Sequence, residues 1–199
     1  MEQKLRILIA EDEYIVLMGL KEVLENLGYS VISEATNGKQ AVEYALEYEP
    51  DLLIIDINMP ILDGIEAIRK INRKINIPAI ITTGYNEKEL IKRANDAGVF
   101  YYLVKPVDEI ELKPAIEIVM SRFDEYSKLK NQLKEKEDAL ESRKFIEKAK
   151  GILMEKNNIK EAESMKLLQK MSTSRNKKMV EIAKDIIAAD KLLSLNLGN

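Results

Sequence analysis

The sequence predicts a three-layer α/β domain built on a doubly wound parallel sheet, followed by a long helix and a small all-α unit. Three observations predict it. Short runs of Ile, Leu and Val recur up to about residue 120, as expected of strands buried on both faces. Amphipathic stretches of helical period separate those runs. Beyond about residue 110 the alternation stops: Pro114 is the last proline, and Gly151 and Gly198 are the only later glycines.

The apolar runs at 5–10, 30–34, 52–56, 79–82 and 101–104 are the predicted strands, and the segments near 14–27, 38–47, 64–74, 87–97 and 109–121 the predicted helices. Five such βα units give a sheet with helices on both sides. In strand order 2-1-3-4-5, strands 1, 3 and 4 are neighbours and strand 5 lies beside 4. Ligands in this architecture bind beyond the carboxyl ends of the strands.

Residues 115–155 read as one very long helix. Val119, Tyr126, Leu133 and Leu140 recur every seven residues, but the companion series Ile116, Phe123, Lys130, Glu137, Lys144 is largely charged. A solvated connector and a weak coiled coil both fit this half-charged seam. After a break at Asn157–Asn158, two further helices are expected near 160–172 and 177–194. In the second, Met179, Ile182, Ala183, Ile186 and Ile187 share one face. The predicted divisions are 1–122, a helical linker at 123–142, and 143–199.

The 199 residues contain no Cys, His or Trp. Disulfides, thiolate chemistry, zinc–imidazole sites and His-based catalysis are thereby excluded. Carboxylates, hydroxyls, Lys and Arg remain, a donor set suited to a hard cation such as Mg²⁺. The apolar run at the start is too short for a signal peptide, and no stretch reaches the roughly 20 apolar residues of a membrane span. The expectation is a cytoplasmic protein without membrane association. Net charge is −3, but residues 1–120 hold 13 Lys and Arg against 21 Asp and Glu, and the remainder 18 against 13. An acidic part joined to a basic part suggests two tasks, one of which involves a polyanion; solvated lysines on long helices are the plainer alternative.

Polar groups cluster at the predicted strand ends: Glu11 and Asp12 after the first, Asp56 at the third, Thr83 and Gly84 after the fourth, Lys105 after the fifth. The topology brings these tips together. Three acids with one lysine suit a divalent cation plus an anion, and a carboxylate can itself accept a phosphoryl group. Mg²⁺ would offset repulsion at Asp56, while Lys105 and the backbone at Gly84 would neutralise the incoming oxygens.

The segments ILIAEDE, LLIIDINMPILDG, IITTG and YYLVKP, spread over residues 4–122, resemble the receiver domain of bacterial two-component response regulators. The resemblance implies the flavodoxin-like (βα)5 fold, with Asp56 as phosphoacceptor for a histidine kinase. It further implies that Glu11, Asp12, Asp56 and the Asn58 carbonyl hold Mg²⁺, that Lys105 pairs with the phosphoryl group, that Thr83 is the switch hydroxyl and that Tyr102 follows it inward. Glu11 stands where Asp is more frequent in the family, and Gly84 where Ala is.

In the tail, ESRKFIEKAKGILMEKNNIKEAESMKLLQKMS and RNKKMVEIAKDII resemble the ANTAR domain, a three-helix RNA-binding output module, over residues 135–195. Ser164 and Lys160 depart from the usual Ala and from the usual Ser or Thr cap. Gly151 inside a helix suggests close approach by another helix or a ligand backbone. Arg143, Lys144, Lys148 and Lys150 lie within two turns, and Arg175, Lys177 and Lys178 sit near the turn at 174–178. Packed together, they are expected to form a basic RNA-binding face. After Tyr126 the only aromatic residue is Phe145, so an aromatic stacking platform is not expected.

The joint resemblance implies a response regulator that dimerises on phosphorylation and binds hairpin loops in leader transcripts, causing antitermination. The alternative is a tail that binds DNA or a protein partner. No constellation outside the receiver site suggests an enzyme.

Overall fold

The computed structural model describes residues 4–84 and 98–196, with side chains through residue 192. The predicted helix at 87–97 lies outside the described residues. The chain divides into two compact units, up to Ser127 and from Lys128 onward.

The first unit contains a five-stranded parallel sheet of order β2-β1-β3-β4-β5. Its strands are β1 Arg6–Ala10, β2 Ser30–Ala35, β3 Leu52–Asp56, β4 Ala79–Thr83 and β5 Tyr101–Val104. The described helices beside it are α1 Tyr14–Asn26, α2 Gly38–Tyr48 and α3 Gly64–Asn72. Strand side chains alternate between two cores, which explains the unbroken apolar runs. Leu8, Leu53, Ile55 and Ile81 pack with Ala41 and Ala45 of α2 and Ile65, Ile68 and Ile71 of α3. Ile7, Ile9, Leu52, Ile54 and Ile80 pack on the other face with Leu17, Leu20 and Leu24 of α1.

Helix starts follow their local chemistry. Asn37 accepts from the Gln40 amide at 2.9 Å, and Gln40 Oε1 in turn accepts from the Thr36 amide at 2.9 Å, a reciprocal cap of α2. Asp63 caps α3 by accepting from the Glu66 amide at 2.9 Å.

The predicted helices at 109–121 and 115–155 are one continuous helix, α4 Glu109–Asn157. Asp108 Oδ1 accepts from the Glu111 amide at its start. Leu112, Ala115, Ile116 and Val119 complete the second core of the sheet. Contact with the first unit continues past 122: Phe100, just before β5, packs edge-on against Phe123 and Tyr126, with ring centroids 5.6 and 6.0 Å away. Leu129, Leu133 and Leu140 farther along are exposed.

The second unit holds the end of α4 with α5 Glu161–Arg175 and α6 Met179–Asn196. Asn158, with φ 51°, makes the break after α4. The core is Ala149, Leu168, Ile182 and Ala183, surrounded by Phe145, Ile146, Leu153, Met171, Met179, Ile186 and Ile187. Ser164 is fully buried, and its hydroxyl donates to the Glu161 carbonyl, so the small polar residue is accommodated. The cap at Lys160 differs from a usual one. A lysine has no acceptor, so only the reciprocal half survives, with the Lys160 amide donating to Glu163 at 3.0 Å. Gly151 corrects one of the two expected readings: a Cβ there would meet nothing within 4 Å, so it is not the approach of another helix that requires glycine. No helix among the described residues is long and apolar enough to cross a membrane.

Candidate functional site

The carboxyl ends of β1, β3, β4 and β5 bring the predicted polar groups to one cluster. The Glu11 amide donates to the Ala35 carbonyl at 2.9 Å, which turns its side chain inward as the chain leaves β1. Asp56 ends β3 and is paired in register with Thr82 of β4. The Lys105 amide donates to the Thr83 carbonyl at 2.8 Å, tying the end of β5 to β4. The loop after β3 closes through the Gly64 amide donating to Ile57. Gly64 is required there, because a Cβ would lie 2.1 Å from the Asp56 carbonyl oxygen.

Lys105 Nζ lies 2.6 Å from Glu11 Oε2 and 3.1 Å from Asp56 Oδ1. Glu11 and Asp56 are buried, whereas Asp12 is exposed at the mouth. Oxygens of Glu11, Asp12 and Asp56 all fall within 4.8 Å of one another. The buried Glu11 Oε2 forms a close ion pair with Lys105. Three carboxylates clustered this closely, two of them buried, fit the hard, oxygen-seeking Mg²⁺. Burial pushes the Glu11 carboxyl above its ordinary value, outweighing Lys105. Burial also opposes the Lys105 charge, but the contact with Glu11 and the charge of Asp56 more than offset it and hold the ammonium above its usual value.

The Asn58 amide donates to Asp56 Oδ2 at 3.1 Å, which places Asn58 beside the Asp56 carboxylate. Thr83 is buried at the end of β4, and Tyr102 is 42% exposed. Thr82 was not singled out from sequence. It is buried and lines a cleft of about 440 Å³ with Glu11, Lys105 and Val107. The signal for it was the strand alternation, which sends Thr82 and Thr83 to opposite faces.

In the second unit the predicted basic residues separate into classes. Arg143, Lys144, Lys148, Arg175, Lys177 and Lys178 are exposed. Lys177 pairs with Asp185 at 3.1 Å. Lys150 does not join the exposed face. Its side chain is only 8% exposed, with Nζ 3.0 Å from Glu147 and 2.6 Å from Glu161. Those two acids were missed from sequence, although the spacing from 147 to 150 is that of a helical ion pair. Phe145 is half-buried, with Lys184 Nζ 4.6 Å from its ring centroid.

A parallel five-stranded sheet with acids and a lysine at its carboxyl edge is the architecture of a response-regulator receiver domain, and comparison with known proteins agrees. Residues 7–117 match the response regulator receiver domain and residues 134–187 the ANTAR domain, so the chain belongs to the response regulators with an ANTAR output domain. It is 40% identical over 182 residues to the transcriptional regulatory protein PdtaR of Mycobacterium tuberculosis, covering 92% of this chain and 89% of that protein. It is 37% identical to the chemotaxis protein CheY of Bacillus subtilis over 113 residues, 56% of this chain and 93% of that one. Among solved structures, the receiver domain of a modulated diguanylate cyclase from Desulfovibrio desulfuricans is similar with a TM-score of 0.58 at 32% identity, covering 61% of this chain and 98% of that one.

Proposed function

We propose that the protein is phosphorylated on Asp56 by a histidine kinase, dimerises, and then binds hairpin RNA in nascent transcripts to prevent termination. The observation that carries this reading is the Glu11–Asp12–Asp56–Lys105 cluster in a chain whose second unit is an ANTAR domain. An Asp56 carboxylate oxygen attacks phosphorus, forming a P–O bond as the P–N bond of the phosphohistidine breaks and the imidazole leaves. Glu11, Asp12, Asp56 and the Asn58 carbonyl are the groups that would hold Mg²⁺, which supplies charge neutralisation for the transferred oxygens. Lys105, already within 3.1 Å of Asp56, pairs with the new phosphoryl group. The Thr83 hydroxyl and the Tyr102 ring are the groups whose rearrangement reports the change.

The exposed Leu129, Leu133 and Leu140 on α4 supply a weak apolar seam for two chains. Pairing two weak RNA contacts raises the effective concentration of the second, so dimerisation converts phosphorylation into useful affinity. Arg143, Lys144, Lys148, Arg175, Lys177 and Lys178 are the proposed backbone contacts. Crosslinking and sequencing of bound RNA, with wild-type protein and Asp56→Asn, tests the reading. Leader hairpins are expected with the wild type and strongly depleted with the variant. Equal recovery from both would overturn it.

A further inference from the structure

Residues 128–141 of α4, ahead of the packed core of the second unit, are all exposed, and Leu129, Leu133 and Leu140 form a stripe along one face. The charges on this stretch are segregated by sign. Lys128, Lys130 and Lys134 stand in 128–134 without an acid, whereas 135–141 holds Glu135, Glu137, Asp138 and Glu141 against Lys136 alone. One half is basic and the next acidic, so the stretch is complementary to itself when turned end for end.

We propose that in the unphosphorylated protein this stretch pairs antiparallel with the same stretch of a second copy of the chain. The release of that pair rests on the phosphorylation reading above, whereas the pairing itself rests on the stripe and its charges.

The two directions differ in what meets across the seam. Parallel pairing sets Lys130 against Lys130 and Glu137 against Glu137, and returns only the flanking Lys136–Glu141 contacts. Antiparallel pairing about an axis at residue 135 brings Leu129 within one residue of the level of Leu140 in the second copy. It does the same for Lys130 with Glu141 and for Lys134 with Glu137, all four on one flank of the stripe. Symmetry makes each of these contacts twice. The cost is one approach of Lys136 to its own copy on the other flank. Exposed ion pairs are weak singly, but here four act together over an apolar stripe. The stretch already lies within the continuous helix Glu109–Asn157, so pairing does not have to order it first.

An antiparallel seam sends the two receiver domains off from opposite ends. Receiver pairing and this pairing therefore exclude each other, and phosphorylation has a resting partner to displace before the two RNA-binding units come together.

The chain has no cysteine, so engineered ones report the direction of pairing without background. Full-length Leu129→Cys and Leu140→Cys chains are oxidised separately and as a mixture, before and after treatment with acetyl phosphate and Mg²⁺. Both positions are exposed, so circular dichroism should match the wild type. Two copies of position 129 lie about 18 Å apart along an antiparallel pair, and positions 129 and 140 about 16 Å apart along a parallel one, both beyond the reach of a disulfide. Without phosphorylation the mixture is expected to yield the 129–140 disulfide about tenfold above either same-position disulfide. Lys134→Glu on the Leu129→Cys chain is expected to lower that yield about threefold, and Glu137→Lys on the Leu140→Cys chain to restore it. Predominant same-position disulfides, or no disulfide from the mixture, would overturn the antiparallel pairing. A yield that the charge reversal leaves unchanged would overturn the ion pairs as its cause. After phosphorylation, same-position disulfides are expected to replace the 129–140 bond. Persistence of that bond in chains whose mass shows a phosphoryl group would leave the resting pair standing and overturn the phosphorylation-driven dimer instead.

Discussion

Lys105 Nζ is closer to Glu11 Oε2, at 2.6 Å, than to Asp56 Oδ1, at 3.1 Å. The lysine thus divides its charge between an acid expected to hold Mg²⁺ and the acid expected to be phosphorylated. Lys105→Ala removes a positive charge from among three carboxylates. Its Mg²⁺ affinity, measured by calorimetry, is expected to equal or exceed that of the wild type. Phosphorylation by acetyl phosphate is expected to slow by about 100-fold, because a charge-stabilising donor is lost. Weaker Mg²⁺ binding in the variant would contradict this division of roles.

Asp56→Asn is expected to abolish acid-labile label from acetyl phosphate while the fold is retained. Asparagine keeps the shape, and its side-chain oxygen can still accept from the Asn58 amide, now 3.1 Å from Asp56. Matching far-UV circular dichroism with no incorporated phosphate is the expected pair of results; persistent label would place the acceptor elsewhere.

Gly64 touches the site through the backbone. With a Cβ placed 2.1 Å from the Asp56 carbonyl oxygen, Gly64→Ala forces the loop after β3 to move. Urea unfolding is expected to show a loss of about 1–3 kcal/mol. Phosphorylation should also slow, since the displaced atom belongs to Asp56 itself. Unchanged stability would mean that the loop relaxes freely.

The strands were legible because both faces of the sheet are buried, so β1, β3 and β4 read as continuous apolar runs with ends fixed to within a residue. The site was legible because it is built from strand ends: once the order was set, Asp12, Asp56 and Lys105 had to meet. The tail was harder. A count of lysines cannot tell Lys148, which is exposed, from Lys150, two residues later and buried by Glu147 and Glu161. That distinction depends on how α5 packs on α4, as does the room beside Gly151. Likewise Phe100 gave no sign that it would meet Phe123, because no local period relates a residue before β5 to one on α4.

Within the first unit, Phe100 packs edge-on against Phe123 and Tyr126 of α4. A double-mutant cycle of Phe100→Leu and Phe123→Leu is expected to give a coupling of about 0.5–1.5 kcal/mol in urea unfolding, the range for edge-on aromatic pairs. Strict additivity would show that the rings contribute burial alone.

The Lys150–Glu161 pair predicts a pH dependence in the second unit. The hydrogen bond from Lys150, and then its charge, hold the Glu161 carboxyl below its ordinary value of 4.5. A depressed folded-state value adds stability that is present above 4.5 and lost as pH falls through the folded value. Lys150 is raised above 10.5 chiefly by Glu161, so its share persists at neutral pH and fades only in strong alkali. Thermal melts of wild type and Glu161→Gln should therefore differ most near neutrality and converge near pH 3. The gap should narrow in high salt, since Glu161 is 71% exposed. A gap independent of pH would assign the effect to packing.

Ile61 carries a different kind of cost. It has φ 70° and is 78% exposed, so a β-branched side chain occupies a left-handed conformation with little burial to offset the strain. The Leu62 amide donates to the Pro60 carbonyl at 2.8 Å, so Ile61 is the centre of a γ-turn with positive φ, which glycine adopts without the Cβ penalty. Ile61→Gly is expected to raise stability by about 1 kcal/mol, read as a higher urea midpoint at unchanged slope. Because the substitution leaves Glu11, Asp12, Asp56 and Lys105 untouched, the rate of labelling by acetyl phosphate should stay the same. A lower midpoint would show that the exposed isoleucine is held by packing that its 78% exposure does not reveal.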